Sequence, residues 1–189
     1  MGKVILIGGS PMVGKSTVAI EIASSAKCPC ISTDDIGEAL QTVIPINPMQ
    51  GKDFRDYYAN TNEDKLLADI QQYHRALEPA IKRLVDIHST WGNSVVLEGW
   101  ALYPRFIKPI IGHNVFAVWL IASNELLEAR LSNRNDFLEG NAARNYLFRS
   151  KWHNDLLLQQ CTALNTNYIL INGDEPAKLL AEKILCFSS

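Results

Sequence analysis

Residues 9–16 read Gly-Ser-Pro-Met-Val-Gly-Lys-Ser, and they follow an apolar run at 4–7. This stretch has the pattern Gly-x-x-x-x-Gly-Lys-Ser, which is typical of a phosphate-binding loop between a buried strand and a helix. Its two glycines permit backbone angles that a Cβ would forbid, so successive N–H groups can turn toward phosphate oxygens. The stretch therefore predicts a nucleoside triphosphate site on a strand-loop-helix unit.

Three side chains of this loop have the chemistry that a bound triphosphate needs. Lys15 supplies a positive charge near the β- and γ-phosphates, Ser16 offers its hydroxyl to Mg²⁺, and Thr17 can face the α-phosphate. The helix that starts here directs the positive end of its dipole at the same anion. The predicted nucleotide-binding residues of the loop are Gly9, Met12, Val13, Gly14, Lys15, Ser16 and Thr17.

Two other interpretations of the loop are a plain turn and a dinucleotide site. A plain turn between a strand and a helix needs no Lys-Ser pair after its last glycine. A dinucleotide site needs Gly-x-Gly-x-x-Gly, and Gly8, Gly9 and Gly14 do not fall at those offsets. The predicted cofactors are therefore ATP and Mg²⁺.

Length and composition suit a soluble, single-domain protein. The chain has 189 residues, with 18 basic and 20 acidic residues and a net charge of −2, so no overall field attracts nucleic acid or a membrane surface. It contains no run of 18 apolar residues and leads directly into a strand, which predicts a cytoplasmic location. The four cysteines lack metal-site spacing and are predicted to be free thiols.

Strand-like and helix-like patterns alternate along the chain. Short apolar or β-branched runs occur at 4–7, 30–32, 94–97, 115–121 and 168–171. Helical apolar stripes separate them, and the longest extends from Leu66 to Leu84, where Pro79 is predicted to kink or divide the helix. The alternation predicts a three-layer α/β fold, in which a parallel sheet has helices on both faces.

Acidic residues follow the second and third strand runs, where ligands of such a sheet bind. We expect Asp34 to orient the hydroxyl of a phosphate acceptor and Asp35 to lie near that acceptor, although either carboxylate could instead cap the helix beginning near Ile36. Glu98 can hold a water of the Mg²⁺ shell or polarise the attacking group. Its alternative role is a structural carboxylate that accepts hydrogen bonds from loop amides.

Two further segments are candidates for acceptor binding. Trp100 and Arg105 follow Glu98 and can line an acceptor pocket, or they can be packing residues only. The polar segment 47–62 contains Arg55 and Tyr58, which we expect in an acceptor-binding insert spanning about 38–75, with a solvated loop as the alternative. Arg55 and Arg105 would suit an anionic acceptor.

Arginines surround a second polar segment, at 133–145. Arg130 and Arg134 lie four residues apart around its start, and Arg144 and Arg149 flank its other side. Guanidinium groups in this arrangement suit a lid at about 133–145 that closes over the γ-phosphate, while the alternative is a solvated face paired with nearby glutamates. After the fifth strand, Asn172 and Gly173 can pass beneath an adenine ring, or Gly173 can serve the turn alone.

Together these residues resemble the P-loop small-molecule kinases of the adenylate kinase and shikimate kinase type. That resemblance implies one kinase domain over 1–189, a five-stranded parallel sheet of order 2-3-1-4-5, and an Arg-bearing lid that includes Arg130 and Arg134. The chain also resembles the catalytic domain of 2-phosphoglycerate kinase, although Ala101 stands where that family commonly has His. Its Ser-Thr-Asp element is similar to that of antibiotic phosphotransferases and zeta-toxin-like kinases. The residues that carry the resemblance are 8–10, 14–17, 31–34, 98, 99, 102 and 104.

The predicted function is an ATP- and Mg²⁺-dependent phosphotransferase acting on a hydroxyl, or a phosphate, of a small anionic metabolite. Lys15, Asp34, Glu98, Arg130 and Arg134 are the predicted catalytic residues, and Ser16 and Glu98 the metal-associated ones. One alternative is an ATP-binding regulatory module with slow hydrolysis. The other is a nucleic-acid end kinase, which the near-neutral charge disfavours.

Overall fold

The computed structural model describes residues 2–49, 51–133 and 138–187. Within these ranges five strands form one parallel sheet. The strands are β1 (Val4–Gly9), β2 (Cys30–Ser32), β3 (Val95–Gly99), β4 (Val115–Ala122) and β5 (Tyr168–Ile171). Their order across the sheet is β2-β3-β1-β4-β5, which confirms the predicted fold class and strand order.

Helices connect the strands and cover both faces of the sheet. They are α1 (Lys15–Ala26), α2 (Thr33–Gln41), α3 (Phe54–Asn60), α4 (Glu63–Thr90), α5 (Pro104–Ile107), α6 (Asn124–Ser132), α7 (Gly140–Leu164) and α8 (Ala177–Phe187), with a short 3₁₀ turn at Lys108–Ile110. No helix in the described part of the chain is long and apolar enough to cross a membrane.

The central strand β1 is apolar at successive positions because both of its faces are covered. Val4 and Leu6 pack into a cluster with residues of α4, α5 and α7. Ile5 and Ile7 point to the other face and pack with residues of α1 and α8. The run that predicted a buried strand from the sequence is therefore shared between two hydrophobic cores.

Of the two predicted effects of Pro79 on the long helical stripe, division of the helix is wrong, and a kink stays a prediction. Helix α4 continues through Pro79 as one element of 28 residues. Pro79 is exposed, whereas Leu77 and Ile81 on either side of it are fully buried. Packing of this apolar stripe against the sheet outweighs the loss of one backbone hydrogen bond at a solvent-facing position.

The predicted acceptor insert is folded against the body of the protein. It includes the end of α2, all of α3 and about the first half of α4. Tyr57 and Tyr58 of α3 are buried in a third cluster with Leu66, Ala142 and Tyr146. The alternative of a solvated loop is therefore wrong for α3, because this helix buries two aromatic side chains.

The carboxyl ends of β1, β2 and β3 lie side by side at one edge of the sheet. In the parallel register, Glu98 of β3 lies between Ile7 of β1 and Ser32 of β2. Glu98 therefore belongs to the strand itself, one residue before its end. This alignment places the loop after β1, the start of α2 and the segment after β3 side by side.

Candidate active site

The loop between β1 and α1 has the backbone angles that its sequence predicts. Gly9 has φ 150° and Gly14 has φ 93°, and Gly14 is the residue that caps α1. A Cβ on Gly9 would lie 2.8 Å from the carbonyl oxygen of Leu120, so both the angle and the available space require glycine there. Met12 also has a positive φ, of 70°. The loop therefore turns through several left-handed positions before the helix begins.

Lys15 is held inside this loop. Its side chain is only 8 % exposed, and its Nζ donates a hydrogen bond of 2.9 Å to the carbonyl oxygen of Ser10. Burial lowers the pKa of the Lys15 ammonium, while the charges of Glu98 and Asp34 partly oppose that shift. An anion entering the loop would favour the charged form of this side chain.

Ser16 and Glu98 meet beside the loop. The Ser16 hydroxyl donates a hydrogen bond of 3.0 Å to Oε1 of Glu98, which is 6 % exposed. A hydroxyl and a carboxylate are oxygen ligands of the kind that Mg²⁺ takes, together with several waters. The pair therefore fits a magnesium site at the edge of the loop.

Asp34 lies in the first turn of α2 and does not cap it. The cap is Ser32, whose Oγ accepts a hydrogen bond of 3.1 Å from the backbone N–H of Asp34. The alternative in which Asp34 or Asp35 caps the helix is therefore wrong, and both carboxylates are exposed. Oδ1 of Asp34 accepts a hydrogen bond of 2.7 Å from Nε1 of Trp100.

Close packing brings β3 and α2 together at this point. Gly99 has φ 151°, and a Cβ built on it would lie only 1.8 Å from Oγ1 of Thr33. Glycine at this position lets the end of β3 approach the start of α2. The approach places Trp100, the next residue, within reach of Asp34.

The structure corrects the predicted position of Arg149. It was expected beside a lid, in the charged surroundings of a polar loop. Its side chain is instead buried, 4 % exposed, with its guanidinium carbon 4.2 Å from the ring centre of Trp100, 4.8 Å from that of Tyr58 and 5.0 Å from that of Tyr146. Burial lowers the pKa of Arg149 to about 9, and the nearby charge of Asp34 acts in the opposite direction.

The Arg149 guanidinium also borders a small cavity. Its Nε is buried and has no hydrogen-bond partner. The other residues that line the cavity are Asn47, Pro48, Met49, Tyr57, Leu66, Ile70 and Tyr73. Sequence reasoning missed this position, because the burial of Arg149 depends on α3 and α4 packing against α7.

The remaining arginines of the predicted lid take different positions. Nη1 of Arg130 donates a hydrogen bond of 2.7 Å to the carbonyl oxygen of Met12, which ties α6 to the phosphate loop. Arg144 is exposed and lies in a depression beside residues 59–64. Arg134 lies outside the described residues, as do residues 135–137 of the predicted lid.

Two predicted acceptor contacts need correction. Tyr58 is fully buried, and its ring supports Arg149, so it does not present a surface to a ligand. Arg105 is exposed in a separate depression lined by Arg75, Glu78 and Lys82, and its guanidinium lies over the Tyr103 ring. Arg55 is an exposed residue of α3.

The structure does not decide whether Asn172 and Gly173 contact adenine or Gly173 serves the turn alone. Gly173 has φ 93°, and a Cβ on it would lie 2.8 Å from Cδ1 of Leu126. The turn and its packing on α6 therefore explain this glycine without a ligand. Contact of adenine with Asn172 and Gly173 stays a prediction.

Two buried histidines lie behind Trp100. The rings of His74 and His153 are centred 5.8 Å apart, and Nδ1 of His74 shares a hydrogen bond of 3.1 Å with the Tyr103 hydroxyl. Desolvation lowers the pKa of His74 well below its usual value and that of His153 to about 3. Their place on the apolar faces of α4 and α7, beside Leu77 and Leu157, is the sequence signal for this burial.

The fold and the phosphate loop define a protein with the architecture of the P-loop small-molecule kinases. The shikimate kinase of Acinetobacter baumannii, solved in complex with shikimate, matches 99 % of this chain with a TM-score of 0.58. The match covers 92 % of the kinase at 16 % sequence identity, so it supports the fold alone.

Among curated proteins, the chain is similar to archaeal 2-phosphoglycerate kinases. It is 31 % identical over 140 residues to that of Methanocaldococcus jannaschii, covering 69 % of this chain and 45 % of the relative. It is 29 % identical over 142 residues to that of Pyrococcus horikoshii, covering 71 % and 47 %. The chain thus spans about half the length of these relatives. No family model matches it.

Proposed function

We propose that this chain is an ATP- and Mg²⁺-dependent phosphotransferase that moves the γ-phosphate to a hydroxyl of a small anionic metabolite. One observation carries this proposal. A phosphate loop with a buried lysine, a hydroxyl-carboxylate pair suited to Mg²⁺ and an exposed carboxylate beside a buried guanidinium meet at one edge of the sheet. These groups would bind, in turn, the phosphate donor, the metal ion and the phosphate acceptor of a phosphoryl transfer.

The donor half would use the loop and the start of α1. Lys15 would exchange its hydrogen bond with the Ser10 carbonyl for phosphate oxygens, because a phosphate is the stronger acceptor for an ammonium group. Arg130 would stabilise the loop through the Met12 carbonyl. Ser16 and Glu98 would hold Mg²⁺ or its waters. When bound, the ion would neutralise charge on the β- and γ-phosphates.

The acceptor half would use Asp34. Its carboxylate is exposed, close enough to Lys15 for their charges to interact, and held at one oxygen by Trp100. Its second oxygen can accept the hydrogen bond of an acceptor hydroxyl and direct that hydroxyl toward the γ-phosphate. Asp34 is therefore the residue that we assign to acceptor orientation.

The buried guanidinium of Arg149 supports an anionic acceptor. Among the described side chains, no carboxylate forms an ion pair with Arg149. A buried cation without such a partner is costly. A carboxylate or phosphate group of the ligand would supply the missing partner. The names of the archaeal relatives suggest a compound to test first. 2-Phosphoglycerate carries a carboxylate, a phosphate and one free hydroxyl, which matches a site with one guanidinium and one orienting carboxylate.

The test is a transfer assay with the 189-residue chain, γ-labelled ATP and Mg²⁺. The acceptors are 2-phosphoglycerate, glycerate, shikimate and, as an uncharged control, glycerol. We expect labelled product from an anionic acceptor and none from glycerol. Asp34→Asn should lower kcat by about 100-fold or more while the affinity for ATP is retained.

A matched control separates catalysis from surface charge. Asp64 is also an exposed carboxylate in the first turn of a helix, α4, and Asp64→Asn should leave transfer unchanged. Binding of ATP without transfer to any of the anionic acceptors would refute the proposal and favour a regulatory nucleotide-binding module.

A further inference from the structure

Trp100 connects the two parts of the proposed acceptor site. Its indole Nε1 donates to Oδ1 of Asp34 over 2.7 Å, and the Arg149 guanidinium lies 4.2 Å from the centre of the same indole ring. One aromatic side chain therefore contacts both the orienting carboxylate and the buried cation. Trp100 makes both contacts immediately after the end of β3.

The hydrogen bond restricts how Asp34 can act. An indole is a donor only, and its single N–H lies in the plane of the ring, so it fixes one carboxylate oxygen in direction as well as in distance. A carboxylate acceptor makes this bond stronger than one between neutral groups. Oδ2 is left to accept from a ligand. Without the indole, the exposed side chain of Asp34 would sample several rotamers.

The indole itself is held on several sides. The His74 ring meets it at 85° with 4.4 Å between ring centres, and the His153 ring lies at 6.1 Å. Arg149 covers it through a cation–π contact. Gly99 immediately before it fixes the backbone through a close approach to Thr33. A donor supported in this way is already positioned before any ligand binds.

We propose that Trp100 is a positioning residue for the transfer reaction: its N–H fixes Asp34 with Oδ2 directed to the acceptor hydroxyl. Trp100 thus acts through Asp34 and was predicted from the sequence only as a lining residue. Because this inference rests on the proposed function, its test has one readout that needs no activity and one that does.

The first readout is the indole N–H signal in ¹⁵N-labelled protein. The chain has four tryptophans, and Trp100→Phe identifies the signal of Trp100 by its loss. We expect Asp34→Asn to move this signal upfield, because the amide is a weaker acceptor than the carboxylate. The signal of Trp119, whose Nε1 donates to the Leu102 carbonyl, should not move. An unmoved Trp100 signal would overturn the inference whatever the activity.

The second readout is transfer from ATP·Mg²⁺ to 2-phosphoglycerate. Phenylalanine retains a ring for Arg149 to cover but lacks the N–H. Loss of one hydrogen bond to a charged group predicts about a tenfold fall in kcat for Trp100→Phe, with KM for ATP within about twofold of the wild type. Trp91→Phe is the matched control, because Trp91 is 72 % exposed at the C-terminal end of α4, and it should behave as the wild type.

A double mutant decides whether Trp100 acts through Asp34. In an Asp34→Asn background, Trp100→Phe should change kcat by less than about twofold. A tenfold loss in that background as well, or no loss in the wild-type background, would overturn the inference while leaving the proposed function intact. Absence of transfer in the wild type would instead refute the proposed function, and the inference with it, even if the indole signal responds to Asp34.

Discussion

Replacement of Arg149 by methionine should make the protein more stable while removing its affinity for anions. Burial lowers the pKa of this guanidinium from 12.5 to about 9, and at about 1.4 kcal/mol per pKa unit this corresponds to a cost of about 5 kcal/mol for the buried charge. The three aromatic rings around it recover roughly 2–4 kcal/mol through cation–π contacts. The net cost of the cation is therefore about 1–3 kcal/mol.

Methionine fills a similar volume and has no charge to desolvate, and its sulfur can contact the same rings. We expect Arg149→Met to raise the free energy of unfolding by about 1–3 kcal/mol, or Tm by about 3–10 °C in a domain of this size. With excess ADP·Mg²⁺ present to fill the phosphate loop, 2-phosphoglycerate or inorganic phosphate should still raise the Tm of the wild type by binding the folded state at Arg149. The variant should show no such increase.

The assay is thermal unfolding with and without each anion, together with urea unfolding to obtain the free energy. Arg144→Met is the matched control, because Arg144 is an exposed residue of the same helix, α7, and its loss should change stability by less than about 0.5 kcal/mol. If Arg149→Met destabilises the protein and the anions still raise its Tm, the reasoning about an uncompensated cation is refuted.

Two further predictions concern the residues that support the site. Gly99→Ala places a methyl group 1.8 Å from Oγ1 of Thr33 at a residue with positive φ. It should therefore lower the free energy of unfolding, measured in urea, by about 2–4 kcal/mol. Gly112→Ala is the control, because a Cβ there meets nothing within 4 Å, and it should cost less than about 1 kcal/mol. The pKa of His153 falls from 6.5 to about 3 on folding, so the stability that its neutral form contributes is complete above pH 6.5 and is lost as the pH falls from 6.5 toward 3. Unfolding measured at intervals from pH 7.5 to 4.5 should show this loss at up to about 1.4 kcal/mol per pH unit for the one group, and His153→Gln should reduce the slope. A pH profile that is the same in both proteins would contradict the assignment.

The sequence was sufficient to predict the parts of the fold that depend on local patterns. The run at 4–7 is apolar at every position because β1 is buried on both faces, and the glycines of the loop after it have the positive φ values that the motif requires. The alternation of strands and helices indicated a parallel sheet, and the family resemblance supplied its order. The boundary errors at β3 and at Pro79 arose where tertiary packing extends an element beyond its local signal.

The candidate site could be predicted only in part. Asp34 and Glu98 could be identified because they lie close to the carboxyl ends of β2 and β3, and these ends meet at one edge of a parallel sheet. Arg149 and Arg105 show the limit of such reasoning. Arg149 is buried by helices that are distant in sequence, and Arg105 follows β3 closely yet lies over Tyr103 on another surface. The direction of a long side chain depends on its neighbours in space, which spacing along the chain does not reveal.

The most direct test of the central claim is calorimetric titration of ATP·Mg²⁺ into the wild type and into Lys15→Met. Lys15 is buried with its ammonium against a backbone carbonyl, and a triphosphate in the loop would take over that hydrogen bond. We predict one ATP bound per chain in the wild type, and an affinity about 10- to 100-fold weaker in the variant, the value of one hydrogen bond between charged groups. Equal affinity in the two proteins, or no binding by the folded wild type, would contradict the account of the loop as a triphosphate site.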